Sequence, residues 1–337
     1  MNPVADKLKR PLRDLRISVT DQCNFRCSYC MPREIFGPEY AFLPKEVLLS
    51  NEEIVFAAKS FVELGVQKLR LTGGEPLLRP DLCDLISSLS TETGVQDISL
   101  TTNASLLPRY AQKLKDAGLR RINISLDSLD HDRFAQMSGG RSSPDAVIRG
   151  IDAAEKAGLK IKVNMVAKLG VNEVDVLPMI EYFRERRITL RFIEFMDVGE
   201  TNGWKMDQVV PAKQILETIG SKYDFEPVDP SYRGEVASRY RFKDARSEFG
   251  IITSITNPFC GDCNRARISA EGKLYTCLFA TAGTDLKKQI RSGISQEDFT
   301  SYVSKLWITR DDQHSEDRSK GRPLKNDKKV EMSYIGG

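Results

Sequence analysis

The sequence predicts an α/β chain in which an incomplete (βα)6 TIM-like barrel precedes a smaller C-terminal α+β domain. Three observations predict it. Strand-like and helix-like runs alternate six times over the first two thirds of the chain, the mark of a parallel sheet. A unit of helix end, glycine and strand recurs at residues 63–72, 116–125 and 156–165. The strand residues alternate apolar and polar, whereas strands buried on both faces would be apolar throughout.

The first strand reads at residues 15–20. The helix after it carries Ile54, Ala57, Ala58, Phe61 and Leu64 at three-to-four spacing, which makes one apolar face. Gly65, Gly118 and Gly158 each close a helix at the position that favours a left-handed residue, and a strand follows each. Cys83, in a Leu-Cys-Asp-Leu-Ile run, reads as a small apolar filler on a helix. Further strands read at 96–101 and 188–194, then a loop at 197–204 and a helix at 212–219. From residue 226 the segments shorten and turns multiply, so the chain divides into a partial-barrel domain, 1–225, and a C-terminal domain, 226–337. The stretch 310–329 is dense in charge and poor in apolar residues and reads as loop or mobile segment.

Strand parity carries a second message. Ile17 and Val19, Leu69 and Leu71, Ile98 and Leu100, Ile122 and Ile124, and Ile161 and Val163 share one face, which would meet the helices. The other face holds Arg16, Ser18 and Thr20; Lys68, Arg70 and Thr72; Ser99 and Thr101; Asn123, Ser125 and Asp127; and Lys162 and Asn164. A closed eight-stranded barrel fills its interior with Val, Ile and Leu. This interior is polar and cationic, as expected of an open barrel with a wet lumen. The plainer alternative, strands with one solvated face, suits an antiparallel sheet better than one covered by helices.

Composition narrows the function. Lys plus Arg number 50 against 47 Asp plus Glu, so nothing marks a general polyanion or nucleic-acid binder. No apolar run reaches membrane-spanning length, and residues 1–11 lack an apolar signal core, so the expected location is the cytoplasm. Seven cysteines in a reducing compartment are expected as ligands rather than disulfides.

Six of those cysteines form two sets of three. Cys23, Cys27 and Cys30 are separated by three and then two residues in a loop just after the first strand. Thiolates so spaced can hold one iron–sulfur cubane, and three ligands leave its fourth iron open. Zinc would usually want a fourth Cys or His, and the only histidines, His131 and His314, are distant in sequence. In the second set Cys260 and Cys263 bracket two residues, and Cys277 follows after thirteen more. It too reads as a cluster with an open iron, with zinc as the alternative. Beside it Arg265 and Arg267 would share one face of a strand, and arginine forks suit phosphate oxygens. Surface arginines would be the plain reading. Against it, Arg16, Lys68, Arg70, Lys162 and Arg191 point to the same lumen, and so many cations require an anion among them. There is no G-x-x-x-x-G-K-[ST] and no G-x-G-x-x-G, so a nucleotide would not be held by either glycine motif.

The first cysteine set, Tyr29 just before its last member, and Thr72-Gly73-Gly74-Glu75-Pro76 resemble the radical S-adenosylmethionine (SAM) superfamily. Within it the chain resembles the GTP 3′,8-cyclase family (the MoaA family) of molybdenum cofactor biosynthesis over nearly its whole length. The likeness rests on residues 13–21, the Gly-Gly-Glu-Pro motif, Thr101-Thr102-Asn103, residues 123–127 and 191–196, the second cysteine set with Arg265 and Arg267, and the terminal Gly336-Gly337.

That resemblance implies a radical SAM enzyme of the lyase class with two [4Fe-4S] clusters. Cys23, Cys27 and Cys30 would hold the cluster that cleaves SAM, and Cys260, Cys263 and Cys277 a second whose open iron binds guanine. Tyr29, Gly74, Ser125 and Met196 would contact SAM. Arg16, Lys68, Arg70, Thr101, Lys162, Arg191, Arg265 and Arg267 would surround GTP, with Arg16, Arg265 and Arg267 as catalytic residues. A radical derived from SAM would take hydrogen from C3′ of the ribose, and C3′ would join C8 to give 3′,8-cyclo-7,8-dihydro-GTP. Cyclic pyranopterin monophosphate synthase would act downstream, an external reductant would supply electrons, and a homodimer is admissible. Gly336-Gly337 would reach into the active site, although sequence alone reads a frayed terminus. Two other readings remain. A peptide-modifying radical SAM enzyme would carry more C-terminal cysteines, and an iron–sulfur electron carrier would need neither the Gly-Gly-Glu-Pro motif nor a cationic lumen.

Overall fold

Six parallel strands are laid down in sequence order: β1 (Asp14–Ser18), β2 (Lys68–Thr72), β3 (Asp97–Thr102), β4 (Arg121–Ser125), β5 (Lys160–Ala167) and β6 (Thr189–Glu194). The structure is a computed structural model that describes residues 4–244, 247–322 and 328–336. Helices α1 (Asn51–Glu63), α2 (Leu82–Thr93), α3 (Leu107–Asp116), α4 (His131–Ser138), α5 (Pro144–Lys156), α6 (Val176–Glu185) and α7 (Ala212–Gly220) intervene or follow. Local chemistry sets their ends. The Ser50 hydroxyl accepts the Glu53 amide while the Glu53 carboxylate accepts the Ser50 amide, a reciprocal cap that starts α1. Gly118 and Gly158 sit just past α3 and α5 at φ +105° and +69°, which turns the chain into the next strand as expected.

The C-terminal third supplies strands at both edges of this sheet. These are β7 (Phe225–Val228), β8 (Ser238–Phe242), β9 (Glu248–Ile252), β10 (Arg265–Ile268), β11 (Lys273–Tyr275) and β12 (Thr284–Asp285). The full order is β12-β11-β10-β1-β2-β3-β4-β5-β6-β9-β8-β7. β10 runs parallel to β1 and β9 parallel to β6, so the parallel arc is two strands longer than the six predicted. β11 and β12 continue beyond β10, and β8 and β7 beyond β9, all antiparallel. β10 and β9 are not paired with each other, and the arc stays open between them.

The apolar parity is buried as the sequence requires: Ile17, Leu69, Leu71, Ile98, Leu100, Ile122, Ile124 and Val163 all belong to one core cluster. α1 packs on α2 and on α9 (Gln296–Ile308), α3 on α5, and α6 on α7. Cys83 packs against this core from α2, as expected of a filler.

The reading of 310–329 as loop or mobile segment holds for the backbone of 310–313, 320–322 and 328–329 and is corrected at 314–319; residues 323–327 lie outside the description. Arg310 is only 4% exposed, and residues 314–319 form α10 (His314–Ser319), after α8 (Leu286–Arg291) and α9 in chain order. Several of its charges pair with distant parts of the chain: Arg310 with Asp6, and Arg318 and Lys329 with Asp197. The terminus is not frayed either. α11 (Met332–Ile335) lies on β1 with Ile335 fully buried; Gly337 is outside the described residues.

Phe183 on α6 is fully buried in the core. Phe183→Ala should cost about 3–5 kcal/mol of stability, read as a lower denaturant midpoint. A loss below about 1 kcal/mol would mean that α6 is not fixed on the sheet.

Candidate functional site

Both cysteine sets open on one cavity of about 670 Å³ inside the arc. Cys23, Cys27 and Cys30 follow the C-terminal end of β1, whereas Cys260 and Cys263 precede the N-terminal end of its parallel neighbour β10. The sets therefore enter from opposite ends of two paired strands. At ~3.3 Å per residue, the five residues of β1 separate them by roughly 13 Å. Arg16 and Arg267 are register partners in between.

Backbone bonds shape the first loop. Amides of Cys30 and Met31 donate to the Cys27 carbonyl at 3.0 and 2.9 Å. The buried Arg26 guanidinium donates to the carbonyls of Cys23, Phe25 and Phe36. Gly73-Gly74 lies directly on the strand that leads into Cys23: the Gly74 amide donates to Thr20 O at 2.8 Å. A Cβ on Gly74 would sit 2.1 Å from the Gln22 carbonyl oxygen, so only glycine fits there. Glu75 is buried beneath, accepting from Thr102 Oγ1 at 2.6 Å and from the Asn103 amide at 2.8 Å. Burial raises its carboxyl to about 7. The Tyr29 hydroxyl donates to Asp127 Oδ2 at 2.8 Å, and burial holds that carboxyl up at about 6.

Burial pushes the thiols of Cys23, Cys30 and Cys277 up to about 11, 12 and 12, and raises Cys27 as well. Cys263 goes the other way: burial would raise it, but Arg265 and Arg310 outweigh that and hold it at about 6. Among the described residues no three His, Cys, Asp or Glu donors are gathered around a point suited to one metal ion. A cubane does not need that, because each thiolate takes a different iron. The donor set fits such a group: two trios of unbridged thiols, each with backbone packed close against the loop and each facing the cavity.

The cations line up between the trios. Arg16, Arg70, Lys162, Arg191, Arg265 and Arg267 all line the cavity, with Thr101. Arg70 is ion-paired with Asp14 at 2.9 Å. Among the described residues Arg16, Lys162, Arg191, Arg265 and Arg267 have no carboxylate at ion-pair distance. Arg191 is held only by the amide oxygens of Asn164 and Asn123, at 2.9 and 2.7 Å. Arg16 Nε and Arg265 Nε are buried without any hydrogen-bond partner. Burial lowers Lys162 to about 8 and Arg191 to about 9, helped for both by Arg121, for Lys162 by Arg191 and for Arg191 by Arg70. Burial and Arg265 lower Arg267 to about 10, and Arg16 is lowered by burial and by Arg267 and Arg70. Buried guanidinium groups with unused donors make an anion site.

Of the residues expected at the site, the six cysteines and Tyr29, Gly74, Ser125 and Met196 all line this cavity. Lys68 does not; its ammonium lies 3.2 Å from the ring centre of Tyr232, which does. Gly336 also reaches the site, its carbonyl accepting from the Arg267 guanidinium. Sequence reading missed Arg121, which shares the lumen parity of Asn123 and is forked onto Asp97 at 2.8 Å. It also gave no role to Glu75, to Arg10, Arg310 and Asp312, or to Tyr232 and Glu235, which all line the cavity.

Residues 17–183 match the family model of the radical SAM superfamily, and residues 188–316 match that of Molybdenum Cofactor Synthesis C. A GTP 3′,8-cyclase of Staphylococcus haemolyticus is 50% identical over 99% of both chains. Those of Staphylococcus carnosus and Staphylococcus aureus strain MRSA252 are 48% and 49% identical over the same share. The chain belongs to the GTP 3′,8-cyclase family.

Its radical SAM membership implies a [4Fe-4S] cluster and SAM. In fold it is like the crystal structure of Streptococcus suis SuiB bound to S-adenosylmethionine, with a TM-score of 0.60 at 16% identity, over 80% of this chain and 60% of that one. Among the described residues no helix is long and apolar enough to cross a membrane.

A polyanion in this cavity should bind with a pH dependence set first by Lys162 and, toward pH 9, also by Arg191. Below about 8 the half-buried ammonium is mostly charged, above it mostly neutral, and an anion favours the charged form. GTP affinity should thus fall as pH rises from 7 to 9, with proton uptake on binding at the upper end, measured by calorimetry in two buffers. Lys162→Met should flatten that fall; an unchanged slope in the variant would detach Lys162 from the anion.

Proposed function

We infer that this chain converts GTP to 3′,8-cyclo-7,8-dihydro-GTP, an early step in molybdenum cofactor biosynthesis. One observation supports the reading above others: both cysteine trios open on a single cavity, with unpaired arginines between them. The cluster held by Cys23, Cys27 and Cys30 would supply the electron that cleaves SAM, the source of the radical that takes hydrogen from C3′ of the ribose. Tyr29, Gly74, Ser125 and Met196, at the same end, would bind SAM. Cys260, Cys263 and Cys277 would hold a second [4Fe-4S] cluster and face the guanine.

The chain's own work is then positional. The substrate must span the distance between the trios with C3′ toward the first, and C8 within bonding reach of C3′. Arg16, Arg265 and Arg267 would grip the triphosphate, with Arg70, Thr101, Lys162, Arg191 and, at the rim, Lys68 around it. Phosphate binding far from C3′ can fix the orientation of one C–H bond, the way remote binding energy serves a reaction. Radical chemistry requires that water be kept from the reacting carbon, and the tail, with the Gly336 carbonyl on Arg267, would cover part of the lumen. On this reading residues 226–337 form the auxiliary-cluster and substrate-binding part. An external one-electron donor feeds the first cluster, the product passes to cyclic pyranopterin monophosphate synthase, and the enzyme works in the cytoplasm, as a homodimer if it assembles.

Anaerobic reconstitution with SAM, dithionite and GTP tests this in one sample, read as iron content, 5′-deoxyadenosine and cyclised product. Arg265→Ala should weaken GTP binding about tenfold or more, the worth of one charge-assisted hydrogen bond, and cut product while SAM cleavage persists. Wild-type GTP affinity in that variant would remove Arg265 from the site. Cys277→Ala should lose cyclised product and part of the iron yet keep SAM cleavage. Full iron content in it would argue against ligation by Cys277.

A further inference from the structure

Behind the second trio lies a network of buried charges that the reaction itself does not use. Arg10 and Asp6 precede β1, and Arg310 and Asp312 follow α9, yet the four meet side by side. The side chains of Arg10 and Asp6 are fully buried, and that of Arg310 is 1% exposed. Asp6 accepts from Arg10 Nε at 2.6 Å and from Arg310 Nη1 at 3.4 Å. Asp312 accepts from Arg310 Nε at 3.1 Å.

What the network touches is the cysteine loop. Arg10 Nη1 donates to the Cys260 carbonyl at 2.9 Å and to the Asp312 carbonyl at 2.8 Å. Arg310 Nη1 donates to the Cys263 carbonyl at 2.7 Å. The Asp312 carboxylate accepts from the hydroxyl of Thr276, the residue before Cys277, at 2.7 Å. One charged assembly therefore reaches the backbone of two of the cysteines and the neighbour of the third. Arg10 Nη2 is left buried with no hydrogen-bond partner, on a residue that lines the cavity.

Buried ion networks are poor stabilisers: apolar replacements of like volume are often as stable or more so. A fold that only needed to close this corner had cheaper means. Metal sites, in contrast, depend on outer partners that orient their ligands, and hydrogen bonds and charge near the sulfurs set a cluster's potential. We propose that Arg10 and Arg310 are positioning residues of the second cysteine site: they fix the Cys260–Cys263 turn and hold two positive charges, one with a spare donor, against the cluster bound there. Asp6 and Asp312 hold the two guanidinium groups in place and tie the Cys277 arm to them. The proposal rests on the second cluster assigned above.

Its test uses reconstituted full-length Arg310→Met, Arg310→Lys and Arg10→Lys beside wild type and Cys277→Ala. Iron content, the electron paramagnetic resonance spectrum of each reduced cluster and its potential are read, with circular dichroism for folding. Arg310→Met should fall toward one cluster's worth of iron, or keep both with the second cluster's potential shifted negative by loss of a cation. SAM cleavage at the first cluster should persist. The lysine variants keep the charge but replace the wide planar fork with one compact ammonium that cannot reach all its acceptors at once, so they should hold iron with an altered second-cluster spectrum. If Arg310→Met does not fold, the lysine variants decide alone. Wild-type iron, spectrum and potential in every folded variant would overturn the proposal. If wild type itself holds one cluster and Cys277→Ala changes nothing, it is the second-cluster reading that fails.

Discussion

The structure depends on an unbalanced charge: a row of cations buried in one lumen with too few carboxylates beside them. Two like unit charges ~6 Å apart repel by about 3 kcal/mol at an effective dielectric of ~20. Here Arg267, Arg16 and Arg70 are register neighbours on three adjacent strands, so the repulsion is built into the pairing. Asp14 offsets Arg70, and neutral amides soften Arg191, but Arg16 has a buried donor with nothing to receive it. Such an interior persists because the helices and the apolar parity stabilise the shell around it, and on the proposed function a polyanion completes it. The lumen is a receptor before it is a core.

The sheet turns that receptor into a measuring device. β1 and β10 are parallel neighbours, so the loop after one and the loop before the other lie at opposite ends of the same pair. The separation of the trios is then fixed by strand length, a quantity that hydrogen bonding holds rigid. A reaction that must bring one end of a substrate to one group and the other end to another requires such a spacer. Placing both trios on one loop cluster, the usual barrel arrangement at the C-terminal ends of strands, would not provide it.

Much of this was legible in the sequence, and the reasons are specific. β2, β4 and β5 show because a glycine-stopped helix precedes each, and apolar–polar alternation marks the barrel strands beside them; the six cysteines of the two trios show because thiol spacing is a chemical statement. β9 and β10 were not legible as barrel strands. β10 is four residues long and lies between cysteines, where the ligand pattern hides the strand pattern, and β9 contains Gly250. Their partners, β6 and β1, are far away in sequence, and no local signal names a parallel neighbour. The misreading at 314–319, and of the buried Arg310 before it, has a related cause. Composition reports how many charges a segment has, not whether other segments carry their complements. Asp6 is some three hundred residues from Arg310, and Asp197 more than a hundred from Arg318.

The same long-range pairing explains why the C-terminal third cannot be a bystander to the barrel. Its strands close in on both edges of the arc, its cysteines enter from the end opposite the SAM motif, and its last residues return to Arg267. Residues 197–201, which leave β6 just after Met196, bind that tail on its way: Glu331 accepts from the Glu200 amide at 2.9 Å and from Thr201 Oγ1 at 2.7 Å. A Cβ on Gly199 would meet the Glu331 carboxylate at 2.2 Å, so the loop and the tail touch without slack. The tail is thus tied to the loop after β6 through Glu331 and, through Gly336, to Thr72 at the end of β2 and to Arg267 in the lumen. Direct contacts of this kind, with the strands of the C-terminal third paired to β1 and β6, join the C-terminal region to the barrel around one cavity.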